Sequence, residues 1–104
     1  MKVNWSKQAL NEFIRVTDYI QTHFGSKTRR DFVKTVKNIN RLLGQQPNMG
    51  QVEQLLEDSV VPYRSIAINH LNRIVYYISE NNVVEVADFW DMRRRPETLS
   101  ERLS

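Results

Sequence analysis

The chain has 104 residues, a net charge of +3 and no cysteine, so residues 1–104 are expected to form a single domain with one modest core and no disulfide or thiolate-bound zinc. With only His23 and His70 available, a histidine-rich metal site is not expected, and no cofactor motif is present. The opening Met1–Ser6 leads into no apolar run and no stretch nears the ~20 apolar residues of a membrane helix, so a cytoplasmic protein with no membrane partner is expected.

Val3 and Trp5 alternate with polar residues and predict a short first strand. Ser6 has the character of an N-cap. Leu10, Phe13, Ile14, Thr17, Ile20 and Phe24 then recur at spacings of three and four, the period of a helix with one buried face. Gly25 is a natural stop and Ser26 a natural cap. A second helix carries Phe32, Val36, Ile39 and Leu43 on one face and ends at Gly44. The two helices predict a tight antiparallel hairpin.

Pro47-Asn48-Met49-Gly50 reads as a loop, and Gln51 to Leu56 as either a short helix or an edge strand. Beyond Pro62 the period falls to two. Arg64, Ile66 and Ile68 share one side of a strand. In Arg73 to Ser79, Ile74, Tyr76 and Ile78 face one way and Arg73, Val75 and Tyr77 the other. Val83 to Trp90 makes a third strand, and the tail from Asp91 is charged, with Pro96 and a last helical turn. Helices ahead of a hairpin-linked meander predict an α+β fold. An N-terminal strand and the two-helix hairpin lie on one face of a small antiparallel sheet, whose other face is left free. Phe13, Ile20, Val36, Ile39, Ile74 and Ile78 are expected to be buried.

Three groups of residues carry possible chemistry. Lys27, Arg30, Lys34, Lys37 and Arg41 form a helical stripe. It is either the solvated side of an amphipathic helix or a track for nucleic-acid phosphates. Arg93, Arg94 and Arg95 repel one another unless an anion is near. They pair either with Asp88, Asp91 or Glu97, or with an acidic partner or phosphate. Arg64, Arg73 and Tyr77 lie on neighbouring strands. Arg73 and Tyr77 share a face, and Arg73 either pairs with Glu85 across the hairpin or reaches a ligand. Glu85, Asp88 and Asp91 read as arginine partners, His70 as a turn residue, and His23 as a group near a helix C-terminus.

Several stretches taken in order resemble one known family. Trp5-Ser6-Lys7-Gln8-Ala9 and Tyr19-Ile20 up to Gly25 are similar to the opening of toxins of the RelE/ParE superfamily, from type II toxin–antitoxin, or plasmid stabilisation, systems. Pro47-Asn48-Met49-Gly50 with Pro62-Tyr63-Arg64-Ser65-Ile66 resembles its central loop and first meander strand. Arg73-Ile74-Val75-Tyr76-Tyr77-Ile78 resembles the second strand, and Phe89-Trp90-Asp91-Met92-Arg93-Arg94-Arg95-Pro96 the C-terminal motif.

The resemblance implies an α+β toxin bound by a cognate antitoxin and acting on a central nucleic-acid machine. RelE-like members cut mRNA on the ribosome; ParE-like members poison DNA gyrase. On the RelE pattern, the chain is expected to be a ribosome-dependent endoribonuclease with ribosome and mRNA as partners. Arg73 and Arg93 then fall at phosphate-stabilising positions, and Arg64 at that of a basic residue, usually lysine. Lys27, Arg30, Lys34, Lys37, Arg41, Arg94 and Arg95 would contact nucleic acid. The sequence departs from that pattern at the acid–base positions: the tail reads Glu97-Thr98-Leu99 without the family tyrosine, and no histidine stands near Asp91. The alternatives are a non-nucleolytic gyrase poison of the ParE type and a member that binds only its antitoxin.

Overall fold

The computed structural model describes residues 1–94 and 96–103. Arg95, one of the expected nucleic-acid contacts, lies outside them. The elements are β1 (Val3–Trp5), α1 (Lys7–Gln45), β2 (Gln51–Val52), a 3-10 turn (Gln54–Leu56), β3 (Arg64–Ala67), β4 (Asn72–Ile78), β5 (Val84–Asp91) and α2 (Pro96–Leu103). The undecided segment 51–56 is therefore a two-residue edge strand followed by a helical turn.

Ser6 caps α1, its Oγ accepting from the Ala9 amide at 3.0 Å and donating to the Ala87 carbonyl at 2.9 Å, which ties the helix start to the sheet. Within α1, Gly25 breaks the helix at φ 89° and ψ 177°, a region open almost only to glycine. The segment folds there into the expected hairpin. Its arms meet through the stacked rings of Phe13 and Phe32, 6.2 Å apart.

The strands form one sheet in the order β1-β5-β4-β3-β2. It is antiparallel except for β1, which lies parallel to β5. The hairpin covers one face, where Ala9, Phe32, Val36 and Leu43 meet Ile74, Tyr76, Val84, Val86 and Phe89. Of the residues expected to be buried, Val36 and Ile74 are so; Phe13, Ile20 and Ile39 are partly buried against this cluster. Ile78 is half-buried.

A bulge alters the alternation in β5. Val75 pairs with Asp88 but Tyr76 pairs with Val86, so Ala87 is the extra residue. Phe89 thus joins Val84 and Val86 under the hairpin, while Trp90 turns to the opposite face. Trp90, Val75 and Tyr63 there pack with Leu56 of the 3-10 turn and Leu99 of α2. The expectation of a free second face is not met: the bulge places a tryptophan on it, and an indole of that size requires cover. No helix among the described residues is long and apolar enough to cross a membrane.

Candidate functional site

The register separates two of the expected catalytic arginines. Arg64 pairs with Tyr76 and faces the hairpin side, whereas Arg73 pairs with Ala67 and Trp90 and faces the second side. Arg64 serves the central loop. Its Nη1 donates to the Gly50 carbonyl at 2.7 Å. The Tyr76 hydroxyl donates to the Pro47 carbonyl at 2.8 Å and accepts from the Gly50 amide at 2.9 Å. Burial raises the Tyr76 hydroxyl above its ordinary pKa, so it stays a donor at neutral pH. A Cβ on Gly50 would stand 2.6 Å from that oxygen, which is why the loop needs glycine here.

Arg73 lines an open groove of about 330 Å³ on the second face, between the central loop, β3 and Met92. Its Nη2 lies 2.7 Å from Oε1 of Glu53. That oxygen nonetheless lacks an aligned hydrogen bond, and the Arg73 Nε is buried without a partner among the described residues. The contact is thus close but off the N–H axis. The expected pairing of Arg73 with Glu85 is not found: Glu85 lies opposite Tyr77 and accepts from Asn4 instead. The cause is register, since Tyr77 stands four positions beyond Arg73 along β4.

Arg93 follows β5 in an exposed turn. Its Nε and Nη2 contact the two oxygens of Asp91 at 3.1 and 3.0 Å, and its amide donates to Asp91 Oδ1 at 2.9 Å. The Arg93 hydrogen bonds hold the Asp91 carboxyl below its usual pKa. Arg94 turns away to Glu12 on α1, at 3.2 Å. Glu12 also pairs with Arg15 at 2.7 Å and lies 3.9 Å from Arg102. Arg102 in turn holds the fully buried Asp88 at 2.8 Å and lies over the Trp90 ring. Burial raises the Asp88 pKa, and Arg102 opposes that shift. This carboxylate–arginine cluster fastens α2 to the sheet. Its members Glu12 and Arg102, and the buried Glu53, were not singled out from the sequence. Each is an ordinary charged residue in a helical or undecided segment, and only chain crossing brings them together.

The helical stripe is exposed. Lys27 pairs with Asp31 at 3.2 Å and Arg41 bonds Asn38 at 2.7 Å. Arg30, Lys34 and Lys37, joined by Arg29, border a groove of about 610 Å³ between the hairpin arms, with Phe13, Ile14 and Val33 also in its wall. His23 stacks on Tyr19 with ring centroids 4.0 Å apart, and His70 is exposed in the β3–β4 turn. Among the described residues, no group of three or more His, Cys, Asp or Glu could hold a metal ion.

The chain is similar in structure to a protein of the chromosomal ParDE toxin–antitoxin system of P. aeruginosa, with 15% identity, a TM-score of 0.68, and coverage of 88% of this chain and 95% of that one. The YoeB/ParE toxin from Agrobacterium tumefaciens shares 21% identity at a TM-score of 0.60, covering 88% and 98%. The YoeB dimer from Staphylococcus aureus shares 22% at 0.57, covering 86% and 93%. No curated protein matches the sequence. At these identities the structures speak for the fold. Residues 3–96 match the family described as the ParE toxin of type II toxin–antitoxin systems, parDE. The chain therefore belongs to the ParE family of toxins of type II toxin–antitoxin systems.

Proposed function

We propose that this protein is a non-nucleolytic toxin of the ParE type, which inhibits DNA gyrase by binding it and is neutralised by a cognate antitoxin. One observation carries the reading: among the described residues, the groove at Arg73 offers a cation whose neighbouring carboxylate, Glu53, is buried and paired with it, and no group in the groove's wall to return a proton. Among the described residues, Arg73 is the one charged member of its lining, beside Met49, Gly50, Gln51, Ser65, Ile66, Ala67 and Met92. Cleavage of RNA by its 2′-hydroxyl needs a group to take a proton and another to give one. Arginine does neither near neutral pH. Arg64 lies on the other side of the sheet, and Arg93 is engaged by Asp91.

The antitoxin partner is supported by the hairpin groove, where apolar Phe13, Ile14 and Val33 lie beside Arg29, Arg30, Lys34 and Lys37. Such a surface suits an amphipathic segment with acidic residues. YoeB of Staphylococcus aureus forms a heterotetrameric toxin–antitoxin complex with YefM. The RelE-type reading retains one feature in its favour, the same basic rim, which also suits a phosphate backbone.

Two assays run side by side decide the matter: supercoiling by purified gyrase, and primer extension on ribosome-bound mRNA. The protein is expected to block supercoiling and leave the mRNA uncut. Cut mRNA with unimpeded supercoiling would move the function to the nuclease. Inactivity in both, with no effect on bacterial growth, would leave antitoxin binding alone.

A further inference from the structure

Three aromatic rings adjoin one another at the tip of the hairpin without joining the core. Tyr19 is 52% exposed, Phe24 64%, and His23 is exposed as well. Tyr19 and His23 stack with centroids 4.0 Å apart and planes 23° from parallel. Phe24 stands edge-on to Tyr19, at 6.4 Å and 61°. Gly25 breaks the helix directly after Phe24, and His23 Nδ1 lies 3.0 Å from the Tyr19 carbonyl oxygen. A carbonyl only accepts, so Nδ1 carries the proton and its donation orients the ring. Exposed apolar residues scattered singly are ordinary, but a stacked pair with a third ring across its edge is a shaped surface. Its surroundings are polar. Ile20, half-buried against the core, is the one aliphatic residue between Asp18 and Asp31. Aromatic anchors of a protein interface sit within contacts that exclude water, and the tip has no apolar surround to form them. Unpaired nucleic-acid bases need only open ring faces, with cations for the backbone. Lys27, Arg29 and Arg30 follow the rings in the second arm. Lys27 is tied to Asp31 where both are exposed, and among the described residues neither arginine has an acidic partner.

We propose that Tyr19, His23 and Phe24 form a stacking surface for the unpaired bases of a single-stranded nucleic acid. A base laid on the outer face of the Tyr19–His23 stack continues it, and the Phe24 ring bounds one side. Every base has a π-face, so the surface accepts single strands with little regard to sequence. This binding activity is separate from the inhibition of gyrase and does not depend on it.

The test is fluorescence anisotropy with purified full-length protein and three labelled probes of about 15 nucleotides. One is a thymidine strand, one the same backbone without bases, and one a duplex. The double variant Y19A/F24A is expected to bind the thymidine strand about tenfold or more weakly than wild type, and to bind the other two probes unchanged. Phe24→Trp should keep the affinity, with its indole emission quenched as a base stacks. Phe24→Leu is apolar but has no π-face, and should weaken binding as Phe24→Ala does. Both single variants fill the volume of an exposed side chain, so their melting temperatures should match that of wild type. Wild-type protein that does not bind the thymidine strand would overturn the proposal. So would an equal loss on the strand without bases, or full affinity in F24L. Self-association abolished by Y19A/F24A would assign the tip to a second copy and overturn it too. Gyrase is absent from the measurement, so its failure would leave the gyrase reading standing.

Discussion

Under the helical hairpin, the core of the sheet's cover is aromatic and aliphatic: Phe89 meets Trp5, Phe13 and Phe32 with ring centroids 5.7 to 6.2 Å apart. On the opposite face, Val75, Trp90 and Leu99 share their cover with two buried ion pairs, Glu53–Arg73 and Asp88–Arg102. The difference shows how a small domain closes both sides of one sheet. The hairpin is a long apolar lid that needs no charges. The second face is capped by one helical turn and an eight-residue helix, too short to supply a dry interface, and ion pairs between these caps and the strands beneath complete it. Arg73 lies on this second face and Arg93 follows β5 at its edge, whereas Arg64 faces the hairpin side and the basic stripe lies on the hairpin itself.

If the hairpin face is the stable core, truncating its central aromatic should produce the largest loss. Phe89→Ala is expected to cost about 3–5 kcal/mol of global stability, read from the urea midpoint. A loss under about 2 kcal/mol would mean that the two faces do not differ as described.

The second face should respond to charge. Arg102→Met strands the buried Asp88 carboxylate, at a cost of about 3 kcal/mol near neutral pH. Burial already raises the Asp88 pKa from 3.8, with Arg102 opposing the rise. Without Arg102 the shift grows, so the folded state binds the Asp88 proton more tightly than the unfolded state does. Stability then falls as pH rises from the ordinary carboxylate value of 3.8 towards neutrality. Melting temperatures of R102M across that range should show this slope, and the double variant D88N/R102M should abolish it. A flat profile for R102M would show that Asp88 finds other compensation.

Leu99→Ala sharpens the contrast between local and global stability. Its side chain is fully buried, and its loss is expected to cost about 2–3 kcal/mol. Much of that loss should be local. Amide exchange should accelerate in α2 and the 3-10 turn before it does in β4 and β5. Uniform acceleration would mean that α2 belongs to the cooperative core.

Gly25→Ala should have the smallest effect, about 1–3 kcal/mol. Its Cβ would meet nothing within 4 Å, so only the backbone conformation opposes the change. Calorimetric melting checks this value. A neutral result would show that the hairpin tip can bend without positive φ.

The hairpin was legible because its cause is local. The apolar positions Phe13, Ile20, Val36 and Ile39 repeat at helical spacing, and Gly25 interrupts them where the chain must reverse. The strand-by-strand alternation of Ile74, Val75, Tyr76 and Tyr77 was equally legible. The bulge at Ala87 was not: a one-residue slip leaves no signature in a run as apolar as Val83–Trp90. With that slip went the position of Trp90 and the need for a lid over it. The pairing of Arg73 was likewise hidden. The sequence places Glu53 twenty residues away in a segment of undecided structure, and only the docking of β2 beside β3 brings it across.

Sequence by itself determined the class of fold, the faces of the helices and strands, the supply of arginines and the family, since each rests on local period or on an ordered series of motifs. Tertiary structure decided what those arginines are attached to. Charge pairing in a buried sheet depends on register and chain crossing, and both are set by how side chains fill space across elements distant in sequence. Arg64 bracing the central loop, Arg73 meeting Glu53, Arg93 folding back on Asp91 and Arg102 fastening α2 to Asp88 are outcomes of that packing.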